Sequence, residues 1–147
     1  MAIDDLKLGW QSTIEMDTGS NNGTFSSSVT IGGFTSGSLT PARTNPDSTN
    51  IDTAGFQGRE YGIRAISFTG ECLDDQATDT FQDNALTDYH TGVKRWLRIR
   101  PRVGTGHIEW IFKAVWSTAP YTIEQGGIVR FSITGESDGT ITKQDQT

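Results

Sequence analysis

The chain has 147 residues, 33% of them hydrophobic, with 17 glycines and a formal net charge of −6 at pH 7. That length fits one domain with one core, and four Trp, seven Phe and three Tyr argue against global disorder. The acidic balance argues against a nucleic-acid binder, which needs Lys and Arg for phosphate contacts, and suits a surface past which nucleic acid slides without sticking; the single cysteine excludes an internal disulfide.

Residues 1 to about 10 carry Leu6, Leu8 and Trp10 and read as an arm that packs on a neighbour. They lack the basic and apolar runs of a signal peptide. No stretch approaches the ~18 apolar residues of a membrane span, so no membrane insertion is expected. Ser28–Ile31 is a short strand. From Gly32 to about Arg59 the abundance of Gly, Ser, Thr, Asn and Pro predicts a long loop. Loops of that length are usually functional or ordered by a partner; Phe34, Leu39, Ile51 and Phe56 are its candidate anchors.

Glu60–Thr69 predicts a strand that Gly70 ends. Tyr61, Ile63 and Ala65 share one parity and Ile66 and Phe68 take the other, which implies a bulge or burial on both faces. A helix follows from Asp74 or Asp75 to about Leu86, because acids suit a helix start and Ala77, Phe81 and Ala85 recur at i, i+4, i+8. Phe81 is its expected anchor against the sheet. Cys72, next to Glu71, Asp74 and Asp75, reads as a small buried hydrophobe, since the acids oppose a thiolate. Further strands are predicted over Val93–Arg100, Gly106–Trp116, Tyr121–Glu124 and Ile128–Thr134. In the last of these, Val129, Phe131 and Ile133 share a face. The sequence GESDG then reads as a polar turn, Thr140–Thr142 as a final strand, and KQDQT as a fraying tail. Seven or eight strands with one helix make the chain mainly β, a β-sandwich or partial barrel.

No catalytic or metal constellation emerges. His90 and His107 have no zinc spacing, and a solvated or interface role fits His107. The acids between Asp74 and Asp88 do not follow a calcium-loop spacing. Glu109 and Glu124 on separate strands have nothing beyond their presence to mark them as an acid–base pair. No enzyme activity and no cofactor are expected.

One charge pattern stands out. Glu71, Asp74, Asp75, Asp79, Asp83 and Asp88 occur with no intervening base, and Lys94, Arg95, Arg98, Arg100 and Arg102 follow with no intervening acid. With Trp96 among the bases a nucleic-acid groove is one reading, although a strand splits the patch over two faces. Self-complementary charge, the acidic helix of one copy against the basic strand of the next, is preferred. Pairing of helix and strand within one chain is the open alternative.

In layout the chain resembles the tail tube proteins of long-tailed bacteriophages. The resemblance covers most of the chain from the Gly-Ser-Thr-rich loop onward. It rests on a strand leading into one short helix (ISFTGECLDDQATDTFQDNAL), long alternating strands, and a last strand with polar turns (GGIVRFSITGESDGTIT). It implies a subunit that forms hexameric rings, stacked into a hollow virion tail tube assembled in the host cytoplasm. Edge strands would serve as the assembly device, and the 32–59 loop and the N-terminal arm would reach the next ring. The tape-measure protein would fill the lumen before DNA passes, and tail tip and terminator proteins would meet the ends. Glu109 is the candidate lumen acid, with Lys113 beside it. The alternatives are a type VI secretion tube-like protein, or a β-sandwich carbohydrate- or receptor-binding module with Trp10, Trp96 and Trp116 as a platform.

Overall fold

Alternating apolar residues draw the strands around one core. Ile14 and Met16, Ile66 and Phe68, Leu97 and Ile99, Phe112 and Ala114, and Phe131 and Ile133 are buried pairs two residues apart, as the strand period requires. The computed structural model describes residues 12–32, 34–47, 57–59, 61–74, 78–123 and 125–147. Among these the elements are β1 (Thr13–Asp17), β2 (Ser28–Thr30), β3 (Phe34–Arg43), β4 (Arg64–Leu73), α1 (Thr80–Thr91), β5 (Arg95–Arg100), β6 (Ile108–Thr118), β7 (Tyr121–Thr122) and β8 (Arg130–Asp145). The expected mainly β chain with one helix is what the structure shows. The N-terminal arm, Ile51, Phe56, Asp75, Ala77 and Glu124 lie outside the described residues, as does the side chain of Phe34.

All strand pairs are antiparallel, in the order β2-β1-β5-β6-β8-β4-β3, with β7 also on β8. β8 joins two halves of the sheet: it pairs with β4 over Arg130–Glu136 and with β6 over Thr134–Asp145. The halves curl around the core and stop short of closing. Ser12–Ile14 face Thr35–Leu39 across an open cleft of about 350 Å³, floored by Ile14, Leu39 and Ile99. The fold is therefore an antiparallel partial barrel. Phe68 lies 5.6 Å, ring to ring, from both Phe112 and Trp116. Gly135 is required beside it: a Cβ there would sit 2.7 Å from the Phe68 ring and 3.0 Å from the Val115 carbonyl oxygen.

The helix covers one end of the core. Phe81 is fully buried and meets Trp116 edge-on at 6.5 Å, which bears out its role as anchor. Its start is later than expected, at Thr80, with Asp79 as N-cap. The Asp79 carboxylate caps no helical N–H; it accepts the Gly32 N–H at 2.9 Å. Gln82, also fully buried, donates to the carbonyls of Gly32 and Leu73. Gly92 closes the helix in the left-handed conformation (φ 79°), which glycine adopts without steric cost.

Four expectations need correction. The 32–59 segment is not one loop, since Phe34–Arg43 is a ten-residue strand paired along β4. Small polar residues mask the pattern there, because only its one apolar side, around Leu39, packs on the core. Gly70 does not end β4, which runs on to Leu73, and the glycine is buried within the strand, paired with Gly37 and Ile133. GESDG is no turn. The β6–β8 register slips between Phe112↔Ile141 and Lys113↔Asp138, with Gly139 at φ 83°. It is a β-bulge inside one long strand. The tail does not fray as expected: Lys143–Asp145 belong to β8, and buried Gln146 donates to the Arg102 carbonyl at 2.7 Å and accepts the Gly104 N–H at 3.0 Å.

Candidate assembly surfaces

The partial barrel leaves backbone edges and apolar side chains uncovered. Among the described residues β2 and β3 end the sheet, so each presents there an edge of N–H and C=O groups. The β3–β4 hairpin continues past the sheet. Beyond the Arg43↔Arg64 pair, the Thr44 N–H donates to the Ile63 carbonyl at 3.0 Å, and Asp47 and Arg59 form an isolated bridge. On this extension Tyr61 is 82% exposed and Ile63 79%. Arg43 stacks 4.7 Å above the Tyr61 ring. A second uncovered apolar pair lies between β7 and β8, with Ile123 75% and Ile128 62% exposed. Large apolar groups held out in water this way mark contact surfaces. The parity change from Tyr61–Ile63 to Ile66–Phe68 is neither the expected bulge nor burial on both faces: the β3–β4 register runs unbroken from Arg64 to Glu71, Tyr61, Ile63 and Ala65 stay on the exposed face, and Ile66 and Phe68 face the core. Leu39, expected to anchor a partner, instead packs half-buried on its own core.

The basic block pairs within the chain. Arg95 grips Asp88 of α1 with two hydrogen bonds of 2.8 Å and also donates to the Asp17 carbonyl. Lys94 meets Asp138 at 3.0 Å. Arg98 pairs with Glu15 through its Nε and its terminal nitrogen. Arg100 reaches Glu109 at 2.8 Å and Glu15 at 3.5 Å. The structure thus takes the intramolecular alternative for Lys94, Arg95, Arg98 and Arg100. Only Arg95 finds its partner on the helix. Strand register explains the rest, because Glu15 lies opposite Arg98 across β1–β5. The hydrogen bond to Asp88 raises the affinity of Arg95 for its proton.

Glu109 is buried. Burial pushes its carboxyl up, but hydrogen bonds from Gln144 and Arg100 outweigh that and hold it below the ordinary range. It offers no free carboxylate to a lumen. Lys113 shares its face and lies 5.8 Å from the Trp96 ring. The acids at the helix end behave differently: Asp74 and Asp83 are exposed, whereas Asp79 is bound to Gly32. No aromatic platform forms from Trp96 and Trp116. Trp116 is in the core on one face, and Trp96 is half-buried on the other, beside Gly23.

Asp17 was not singled out by the sequence. Its carboxylate is fully buried and accepts backbone N–H groups from Gly19, Asn22, Gly23 and Phe25 at 3.0–3.4 Å. Burial raises its pKa, but those four donors together bring it below the ordinary value. They wrap the 18–27 loop over the outer face, where Arg98 stacks 4.7 Å from Phe25. A short polar loop after an acid was the only signal. Cys72 is buried as expected; burial, then Asp79, Asp74 and Glu71, push its thiol up to about 12. Among the described residues no group of His, Cys, Asp or Glu could hold a metal ion, and no helix is long and apolar enough to cross a membrane.

No protein-family model and no curated protein matches the chain. Solved structures do. The tail of an empty gene transfer agent particle, refined helically in C6 symmetry, matches with a TM-score of 0.78 at 15% identity, over 95% of this chain and 99% of that one. The native gene transfer agent virion gives 0.75 at 14% identity, over 95% and 99%. The SPP1 tail tube gives 0.72 at 14% identity, over 96% and 80%. At such identities the likeness concerns the fold, and the fold of this chain is the one seen in these tail structures.

Proposed function

We propose that the chain is a structural tail tube subunit, forming hexameric rings that stack into the hollow tube of a virion tail. The observation that carries this reading is the near end-to-end match to a C6 tail subunit, 95% of one chain on 99% of the other. The unpaired β2 and β3 edges and the exposed Tyr61–Ile63 hairpin are the surfaces such a polymer uses. In that assembly the hairpin and the N-terminal arm reach the adjacent ring. The lumen holds the tape-measure protein and then passes DNA without sequence-specific binding. Tail tip and terminator proteins bind the ends, and assembly takes place in the host cytoplasm. The chain itself performs no catalysis. Negative-stain electron microscopy of concentrated purified protein tests the reading. Stacked rings or hollow tubes of uniform diameter are expected; dispersed monomers at every concentration and ionic strength, even with tail tip proteins added, would refute it.

A further inference from the structure

Among the described residues, three exposed bases without an ion pair lie together on one face, away from the paired Lys94, Arg95, Arg98 and Arg100. Arg43 and Arg64 lie directly opposite each other in the β3–β4 register, an arrangement of like charges that destabilises a sheet on its own. Lys143, opposite Trp110 on β6, joins them. The three exposed bases surround a cleft of about 300 Å³ with Ile66, Trp110 and Ile141 on its walls and, among the described residues, no acid in its lining. None of the three forms an ion pair among the described residues, not even Lys143 with Asp145 two positions on. By contrast Lys94, Arg95, Arg98, Arg100 and Arg130 all do.

Two exposed acids that form no ion pair among the described residues, Asp74 and Asp83, lie at the other end of the same strand. Asp74 follows the end of β4, its N–H bonded to the Val129 carbonyl. Asp83 is in the first turn of α1, which is tied to Leu73 through Gln82. β4 runs ten residues from Arg64 to Leu73, about 30 Å at ~3.3 Å per residue. No side chain spans that distance, so these charges cannot neutralise each other within one subunit.

We propose that the Arg43–Arg64–Lys143 cleft receives the Asp74–Asp83 end of a second copy of this chain in a head-to-tail contact. The inference rests on the tube reading and supplies the polarity of its stacking. A contact between two different surfaces repeats along one direction, and opposite charges at its two ends reject the head-to-head and tail-to-tail arrangements, in which like charges meet. The partner is a carboxylate surface of this chain and not the phosphates of DNA, because its charge and position are already present on each subunit.

Two variants test it. Arg43→Glu/Arg64→Glu makes both ends acidic, and Asp74→Lys/Asp83→Lys makes both basic. All four positions are exposed, and circular dichroism with thermal melting checks that each variant folds. Each alone is expected to raise the concentration needed for assembly, read by sedimentation and electron microscopy, by about tenfold or more. Mixed one to one, they are expected to co-assemble near the wild-type concentration, since every contact then joins opposite charges. Folded variants that assemble alone like wild type, or a mixture that fails to recover, overturn the proposal. So does normal assembly of Arg43→Glu/Arg64→Glu with loss of binding to a duplex DNA probe. If a reversal fails to fold, Arg43→Gln/Arg64→Gln replaces it; unchanged assembly of that variant would equally overturn the cleft's role. Should wild type itself never form rings or tubes, the tube reading fails first, which separates the two ideas.

Discussion

Truncating Asp88 should detach the helix from the sheet more effectively than any apolar change of similar size. Asp88 is 3% exposed and Arg95 17%, and two 2.8 Å hydrogen bonds join them. Removing one member of a buried pair leaves the other charge unmatched, at about 3–5 kcal/mol. Arg95 retains the Asp17 carbonyl and some water, which places Asp88→Ala near the lower end, roughly 3 kcal/mol. For a chain of this size that is a fall in Tm of about 10 °C. Replacing both members, Asp88→Leu with Arg95→Met, removes the unmatched charge and should restore most of the loss. Urea and thermal unfolding followed by circular dichroism, at a concentration too low for assembly, give all corners of the cycle. Asp88→Ala within 1 kcal/mol of wild type, or a double variant no better than the single ones, would show that the pair does not hold the helix.

Asp17→Ala strips a common acceptor from four backbone donors, so about 2–3 kcal/mol should be lost in urea unfolding. Because the folded pKa of Asp17 lies below its unfolded value, its contribution is full above about pH 4 and fades as the pH falls through the folded pKa. Asp17→Asn should therefore flatten the acid limb of the stability profile, and an unchanged limb would reject that assignment. Gly135→Ala forces a methyl against Phe68 and the Val115 carbonyl and should cost about 1–3 kcal/mol by thermal melting. Tyr61→Ser with Ile63→Ser should leave the isolated subunit within about 0.5 kcal/mol of wild type while sedimentation shows assembly lost; intact tubes would remove the hairpin from the interface.

The apolar alternation of Phe112–Trp116 and of Phe131 and Ile133 was legible because those stretches keep one face on the core, whereas Ile108, at the start of β6, is exposed. Phe81 was legible for the same reason on a helix. β3 was not. Its Ser, Gly and Pro residues (FTSGSLTPAR) favour turns, and the segment becomes a strand because β4 supplies a ladder from Gly37 to Arg43. The bulge in β8 resembled a turn because Asp138 and Gly139 suit either, and only the slip against β6 decides between them. Pairing of the basic block with Glu15 and Glu109 was invisible for a similar reason. Those contacts follow from strand order: Arg98 and Glu15 are 83 residues apart, and Arg100 and Glu109, only 9 apart, meet because β5 and β6 pair. Asp17, which organises a whole loop, carries no periodicity at all.

The position of β8 in the chain has a kinetic consequence. Every strand of the β3–β4 hairpin and of the β1-β5-β6 unit precedes residue 130 in the chain, yet β8 is the strand that links them. Until it inserts, neither half has a closed core, and the strands flanking the vacancy are exposed on both sides. Such long-range closure is slow compared with local structure, so folding waits for the full length of β8. A chain that polymerises through its edges gains from that delay. Until β8 is in place the two assembly edges, β2 and β3, are not held in one body, so the paired surfaces that a polymer needs exist only on completed subunits.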